Sequence, residues 1–174
     1  MILRAEDMIE SGAYSDIFRP LGDTLAYKLF ISSQHPTNVS QDLTRPQDDE
    51  RRHKTYLSEC EAYERAAQHP FLRNHIPRSF RRCVIENVIG SGTSVAHLYM
   101  LDHCYAIQYI EGHARKLGEF PDGFGPLHIV KALQKFYDVG VHHLIDTSIF
   151  FPDDPNNFIF IDFATEEHQA FWDP

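Results

Sequence analysis

Three residues stand in an order that suits phosphate chemistry: Lys28 in LAYKLF, Glu59 in SECEAYERA and Asp162 in FIFIDFAT. A cation, a carboxylate to hold it and a late carboxylate between apolar flanks are the parts that position a metal-bound triphosphate. Ahead of the lysine, ESGAYSDIF (residues 10–18) has the composition of a turn over phosphates. Its Gly12 lets the backbone approach phosphate oxygens with no Cβ in the way. Any one of these pieces is common by chance, whereas the ordered series is much rarer.

The elements that must hold these residues can be read from periodicity. Residues 25–31 alternate as a strand that half-buries Lys28. A buried ammonium needs a partner or it loses its proton. Residues 49–68 carry Tyr56, Leu57, Cys60, Tyr63, Ala66 and Ala67 at helical spacing, and Glu59 in this helix is the carboxylate read as that partner. Glu61 and Glu64 are the alternatives, and their ordinary place is a solvated face. The stretch of residues 32–52, with SSQHPTN and TRPQDDERR, is expected to be a mobile polar loop.

Downstream, IPRSFRRCVIEN and TSVAHLYMLDHCYAIQYIEG read as strands of an antiparallel sheet, with the Gly90-Ser91-Gly92 turn between them. Residues 125–143 form an amphipathic helix with Leu127, Val130, Leu133, Phe136 and Tyr137 on its apolar side, closed near Gly140. Two strands, 149–151 and 158–161, joined by PDDPNN, form a hairpin that ends at Asp162.

In this order the pieces resemble the protein-kinase-like superfamily, in a small and divergent form of the fungal or bacterial type. The likeness spans residues 9–165. Glu10, Gly12 and Ser15 occupy the three positions of the family's glycine loop, Ile17 takes the valine position, and Ala26-Tyr27-Lys28 matches the Ala-x-Lys strand. Only the middle glycine is kept, and Glu10 places a negative charge beside a negative ligand. The resemblance implies ATP and Mg2+ as cofactors, with Gly12, Ser15, Lys28, Glu59 and Tyr109 binding the nucleotide. Tyr109, in AIQYIEG, falls where the family's hinge strand hydrogen-bonds adenine. Asp162 would hold the metal, with Ala164 replacing the glycine that follows in the family.

The catalytic loop departs from the family. GVHHLIDTSIFF places Ser148 where an asparagine would hold magnesium, and the segment is two residues short where the catalytic aspartate would stand. Asp146 is the one carboxylate left in the loop. As a base it would need a rearranged backbone, and its ordinary role is a turn or cap. After Ala164 only residues 165–174 follow, which implies no room for an activation segment or for peptide-binding helices.

A net charge of −9 argues against a nucleic-acid partner. No apolar run reaches the length of a membrane span, and MILRAEDMIESG lacks a signal-peptide core, so a soluble, cytoplasmic protein is expected. Cys60, Cys83 and Cys104 form no metal spacing and no even disulfide set, which suits a reducing compartment. His142, His143 and Asp146, with His128, are a minor metal-site alternative.

The expected fold is therefore α+β: one kinase-like domain, 1–174, with an antiparallel-sheet N-lobe, an αC-type helix and hinge over 1–112, and a reduced helical C-lobe over 113–174. The expected function is a degenerate, ATP-binding kinase-like domain, a pseudokinase of weak or no activity that acts through protein contacts or self-association. The alternative is an active kinase of a protein or small molecule with Asp146 as base.

Overall fold

The computed structural model describes residues 1–38, 46–111, 114–116, 127–141, 148–150, 158–161 and 163. They fall in two compact units, Met1–Tyr56 with Ser79–Tyr109, and Leu57–Arg78 with Ile110–Pro174. Eleven strands and two helices among the described residues define an α+β protein. The strands are β1 (Ile2–Arg4), β2 (Met8–Ser11), β3 (Ser15–Phe18), β4 (Leu25–Ile31), β5 (Arg81–Cys83), β6 (Asn87–Gly90), β7 (Thr93–Ser94), β8 (Tyr99–Gln108), β9 (Ala114–Lys116), β10 (Ser148–Phe150) and β11 (Ile159–Ile161). The helices are α1 (Pro46–Gln68) and α2 (Leu127–Asp138).

The first unit is built on a five-stranded antiparallel sheet, ordered β2-β3-β4-β8-β5. Its first three strands form a meander, and β8 enters on the far side of β4 before β5 closes the edge. One face of this sheet carries Phe18, Tyr27, Leu29, Cys104 and Ala106. These pack with Leu3, Ile85 and Val88 from β1, β6 and the segment before β6 into a dry core. The strands β1, β6 and β7 form a separate three-stranded sheet, in which β1 runs parallel to β6. The β6–β7 hairpin turns on Ser91 and Gly92, at φ 50° and 80°. Positive φ at both central residues is the primed turn that matches the twist of paired strands. The expected turn is thus in place, but IPRSFRRCVIEN is not one strand: it breaks into β5 and β6, which lie in different sheets.

Helix α1 begins at Pro46, earlier than its apolar spacing announces. Its first turn is held by polar groups. Asp49 accepts hydrogen bonds from the Ser33 amide (2.6 Å) and hydroxyl (2.8 Å), and Arg52, fully buried, donates to Asn38 Oδ1 (2.7 Å) and Asp49 (3.2 Å). Asn38 Nδ2 in turn donates to the Ser32 carbonyl (2.6 Å). Residues 32–38 and the start of α1 are therefore stapled together, and the expected mobile loop is corrected over these residues. Polar composition concealed this because every group involved is charged or amide-bearing, and only the fold pairs them. Along α1 the buried positions are Asp48, Arg52, Thr55, Tyr56, Glu59, Cys60, Ala62, Tyr63 and Ala66, recurring every three to four residues along one side. Leu57 and Ala67 lie outside it.

The second unit has an aromatic core. Phe136 meets Phe160 and Phe163 at ring distances of 5.0 and 5.2 Å, and Tyr63 stands edge-on to Phe163 at 4.8 Å. The expected hairpin is present as β10–β11, with Ser148 opposite Ile161, and β9 adds a third strand in the order β11-β10-β9. Helix α2 ends as the sequence indicates. Gly140 has φ 82°, its N–H bonds the Tyr137 carbonyl (2.9 Å), and the Val141 N–H bonds the Phe136 carbonyl (2.9 Å). This is a Schellman closure. The apolar face of α2 is a correction: Ile129, Ala132 and Phe136 are buried, whereas Leu127, Val130 and Tyr137 are 79%, 57% and 60% exposed. Two apolar stripes run along this helix, and packing selects the narrower one.

Candidate functional site

Lys28 lies in the middle strand of the five-stranded sheet. It stands opposite Ile17 of β3 on one side and Tyr105 of β8 on the other, while Ile17 faces Glu10 and Tyr105 faces Arg82. Directly paired residues of antiparallel strands share a face. Glu10, Ile17, Lys28, Tyr105 and Arg82 are thus one row across the sheet, on the side away from the dry core. The Lys28 Nζ is 5.7 Å from the Phe30 ring centroid and 6.0 Å from that of Tyr105, at the outer reach of a cation–π attraction. The same face receives the N-terminal half of α1. Tyr56 stands edge-on to Phe30 at 5.6 Å and is tilted against His103 at 4.9 Å.

The turn before the lysine strand joins β2 to β3. The Gly12 N–H donates to the Ser15 carbonyl at 2.9 Å, and a Cβ on Gly12 would come within 3.2 Å of that oxygen. Gly12 is therefore needed for close approach, but the approach is to Ser15 of its own turn. Ser15 is buried at the start of β3, and the Tyr14 carbonyl accepts from the Ile31 amide at 3.0 Å, which ties the loop to the end of β4.

Glu59 is fully buried, one turn beyond Tyr56 in α1. Glu61 is exposed and paired with Arg65 in the next turn, which is the solvated-face role. Tyr109 directly follows β8. Its amide donates to the Thr24 carbonyl at 2.9 Å, and the Arg19 guanidinium lies 3.7 Å over its ring. That N–H is committed within the sheet. Ser148 is buried at the start of β10. Asp162, Asp146, His142 and His143 lie outside the described residues, although Ile161 and the buried Phe163 bracket Asp162. Among the described residues, no group of three or more His, Cys, Asp or Glu side chains is placed to hold a metal ion, and no helix is long and apolar enough to cross a membrane.

Three polar arrangements have no counterpart in the sequence motifs. Asp16 is fully buried on the core face of β3. It accepts from Ser11 Oγ (2.7 Å) and Tyr99 Oη (2.9 Å), with His35 Nε2 at 3.3 Å. Burial, with the Asp16 charge beside it, pushes the Tyr99 phenol well above its ordinary range. Burial lowers the His35 imidazole pKa, against the opposing pull of Asp16.

On the lysine face, His53 Nδ1 lies 2.5 Å from His103 Nε2, and His103 Nδ1 lies 2.6 Å from the exposed Asp102. Partial burial works to raise the Asp102 pKa, but the His103 contact prevails and holds it low. The third arrangement is Cys83 directly opposite Cys104. Its signal was the shared alternation of β5 and β8, which becomes visible only once their register is known.

The class these elements define is an α+β protein with a five-stranded antiparallel sheet. No protein-family model, no curated protein and no solved structure matches the chain.

Proposed function

We propose that the protein is a protein-kinase-like nucleotide-binding domain whose catalytic loop is degenerate, and that it acts mainly through protein contacts. The observation that carries this reading is the setting of Lys28. It stands half-buried in the central strand, between a strand that leaves a glycine turn and a strand that Tyr109 directly follows, on the sheet face that takes α1. A half-buried ammonium on a sheet face that also carries aromatic rings suits charge-assisted hydrogen bonds to phosphate oxygens.

In this reading Lys28 binds the α- and β-phosphates, and Glu59 is the carboxylate that the resemblance assigns to it. Because the Gly12 amide is spent within its own turn, the lysine carries more of the phosphate contact than the loop does. Likewise, with the Tyr109 N–H bound to Thr24, the adenine edge is read by backbone groups other than that amide. Asp162 would hold magnesium, and the Ser148 hydroxyl would add one neutral oxygen donor. Bound magnesium would neutralise phosphate charge. With Asp146 as the sole loop carboxylate, phosphoryl transfer is expected to be slow or absent. The exposed Leu127, Val130 and Tyr137 on α2 favour a role through protein contacts.

Calorimetry of ATP, with and without magnesium, tests the reading on the full chain and on Lys28→Ala and Asp162→Ala. Magnesium-dependent binding that both substitutions abolish is the expected result. A folded wild type that binds no ATP at millimolar concentration would overturn it and leave an interaction module without a nucleotide site.

A further inference from the structure

Cys83 and Cys104 are a cross-strand pair. Cys83 ends β5, the edge strand of the five-stranded sheet, and Cys104 lies directly opposite it in β8. Both side chains belong to the same apolar cluster beneath the sheet, Cys104 fully buried and Cys83 half-buried at its margin. Directly opposed residues of an antiparallel pair have Cα atoms about 4.5–5.5 Å apart, inside the roughly 4.4–6.8 Å that a disulfide spans. Both sulfurs are free thiols here. No other described pair of cysteines is opposed in a sheet, since Cys60 is in α1 and belongs to the second unit.

We propose that Cys83 and Cys104 are a hydroperoxide-sensitive dithiol, in which Cys83 is the attacking sulfur and Cys104 resolves the oxidised product into a cross-strand disulfide. The roles follow from exposure. A small oxidant reaches the half-buried Cys83 at the sheet edge, whereas Cys104 is closed off by the core. The Cys83 sulfur is also prepared for attack. A hydrogen bond from the Cys104 thiol lowers its pKa to about 6, burial works against this, and the Arg81 charge adds to it. In the protonated form the Cys83 thiol donates to the Arg81 carbonyl at 3.5 Å.

The chemistry balances within the pair. The Cys83 thiolate attacks one peroxide oxygen, the O–O bond breaks, and water or the corresponding alcohol leaves, so that sulfur becomes a sulfenic acid. Cys104 then attacks that sulfur. The S–S bond forms, the S–O bond breaks, and hydroxide departs with the Cys104 proton as water. The two thiols lose two electrons and one hydroperoxide is reduced by two. The product ties the edge strand β5 to β8, the strand that flanks the Lys28 strand β4. This inference stands independently of the nucleotide reading.

The test uses the full-length chain carrying Cys60→Ala, treated with one equivalent of hydrogen peroxide at pH 7. Both remaining thiols should disappear with the loss of two hydrogens in mass. Cleavage after Glu86 should then yield two peptides that stay joined until a reductant is added. At pH 7, a thiol of pKa near 6 has about ninetyfold more thiolate than one of pKa 9, offset by lower nucleophilicity to a net gain of about fourfold in rate. Adding Cys104→Ser should leave Cys83 as a sulfenic acid that dimedone traps, while Cys83→Ser should abolish peroxide consumption. Unfolding in urea should slow the joining, because it depends on register. Retention of both thiols by the folded protein would overturn the proposal. So would conversion of Cys83 to a sulfinic acid with Cys104 still reduced, or joining that proceeds as fast in urea as in the native state.

Discussion

The Tyr99 hydroxyl donates a 2.9 Å hydrogen bond to Asp16, 83 residues away in the chain, and the Asp16 carboxylate has no solvent exposure. Together with Ser11 and His35 it encloses a negative charge behind the sheet that carries Lys28. A buried carboxylate is tolerated only while donors replace its water, so each donor matters more than its own bond.

Tyr99→Phe removes one donor and leaves the charge in place. Its expected cost is about 1–3 kcal/mol of stability, the price of an under-satisfied buried group. Urea unfolding monitored by circular dichroism measures it. In combination with Asp16→Asn the loss should be smaller than the sum of the two single losses, because both remove the same interaction. Additive losses would show that the two residues act separately.

Stability should fall as the pH is lowered through the histidine range. Burial lowers the pKa of both His35 and His75 below 6.5, with Asp16 and the Phe158 carbonyl opposing the shift at each site. Between pH 6.5 and those lowered values the unfolded chain binds the extra protons, so acid favours unfolding. Each histidine contributes at most about 1.4 kcal/mol per pH unit. His75→Phe should keep the ring stacked on Phe158, now 4.4 Å away, and remove its share of this slope. Denaturant midpoints from pH 7.5 to 5 would show it, and an unchanged slope would contradict the assignment.

Gly140→Ala should destabilise the second unit by about 1–2 kcal/mol, the cost of a left-handed conformation for a residue with a Cβ. Gly140 has φ 82°, and an added Cβ would also press on the Arg65 guanidinium, which donates to the Val139 and Gly140 carbonyls. Gly22→Ala supplies the control. That glycine has φ 81° with nothing near its Cβ position, so its variant carries the left-handed strain without a contact of the added Cβ. Thermal melts of both variants measure the difference.

The two stripes of α2 can be separated by substitution. Phe136→Ala opens a cavity against Phe160 and Phe163 and should cost about 3–5 kcal/mol. Leu127→Ser and Val130→Ser should change stability by no more than about 0.5 kcal/mol, as expected for exposed positions. If those two instead reduce self-association or capture of a partner, the exposed stripe is a contact surface.

Much of the local structure was legible because it rests on short-range rules. The lysine strand covers Leu25–Ile31 as its alternation requires, Gly140 closes α2, and Gly90, Ser91 and Gly92 mark the β6–β7 turn. The candidate site was legible as a series of residue types. The Lys28 row was not, since which residues stand beside a lysine depends on strand order, and β8 begins 74 residues after the start of β4. The early start of α1 was also hidden, because Asp49, Arg52 and Asn38 look like loop residues until the fold joins them.

The sequence by itself determined the lysine strand, the Gly140 end of α2 and the β6–β7 turn, since hydrophobic period and turn chemistry act over a few residues. It also determined that Lys28 would be half-buried and that Glu59 lies in α1, whereas the full burial of Glu59 came from the packing. Only the tertiary structure decided which of two apolar stripes on α2 is covered, that Asp16 is enclosed by Tyr99 and His35, and that Cys83 meets Cys104. Each of these is a long-range pairing. A chain with several compatible local patterns settles among them by the packing and hydrogen-bond partners that become available when the sheet closes.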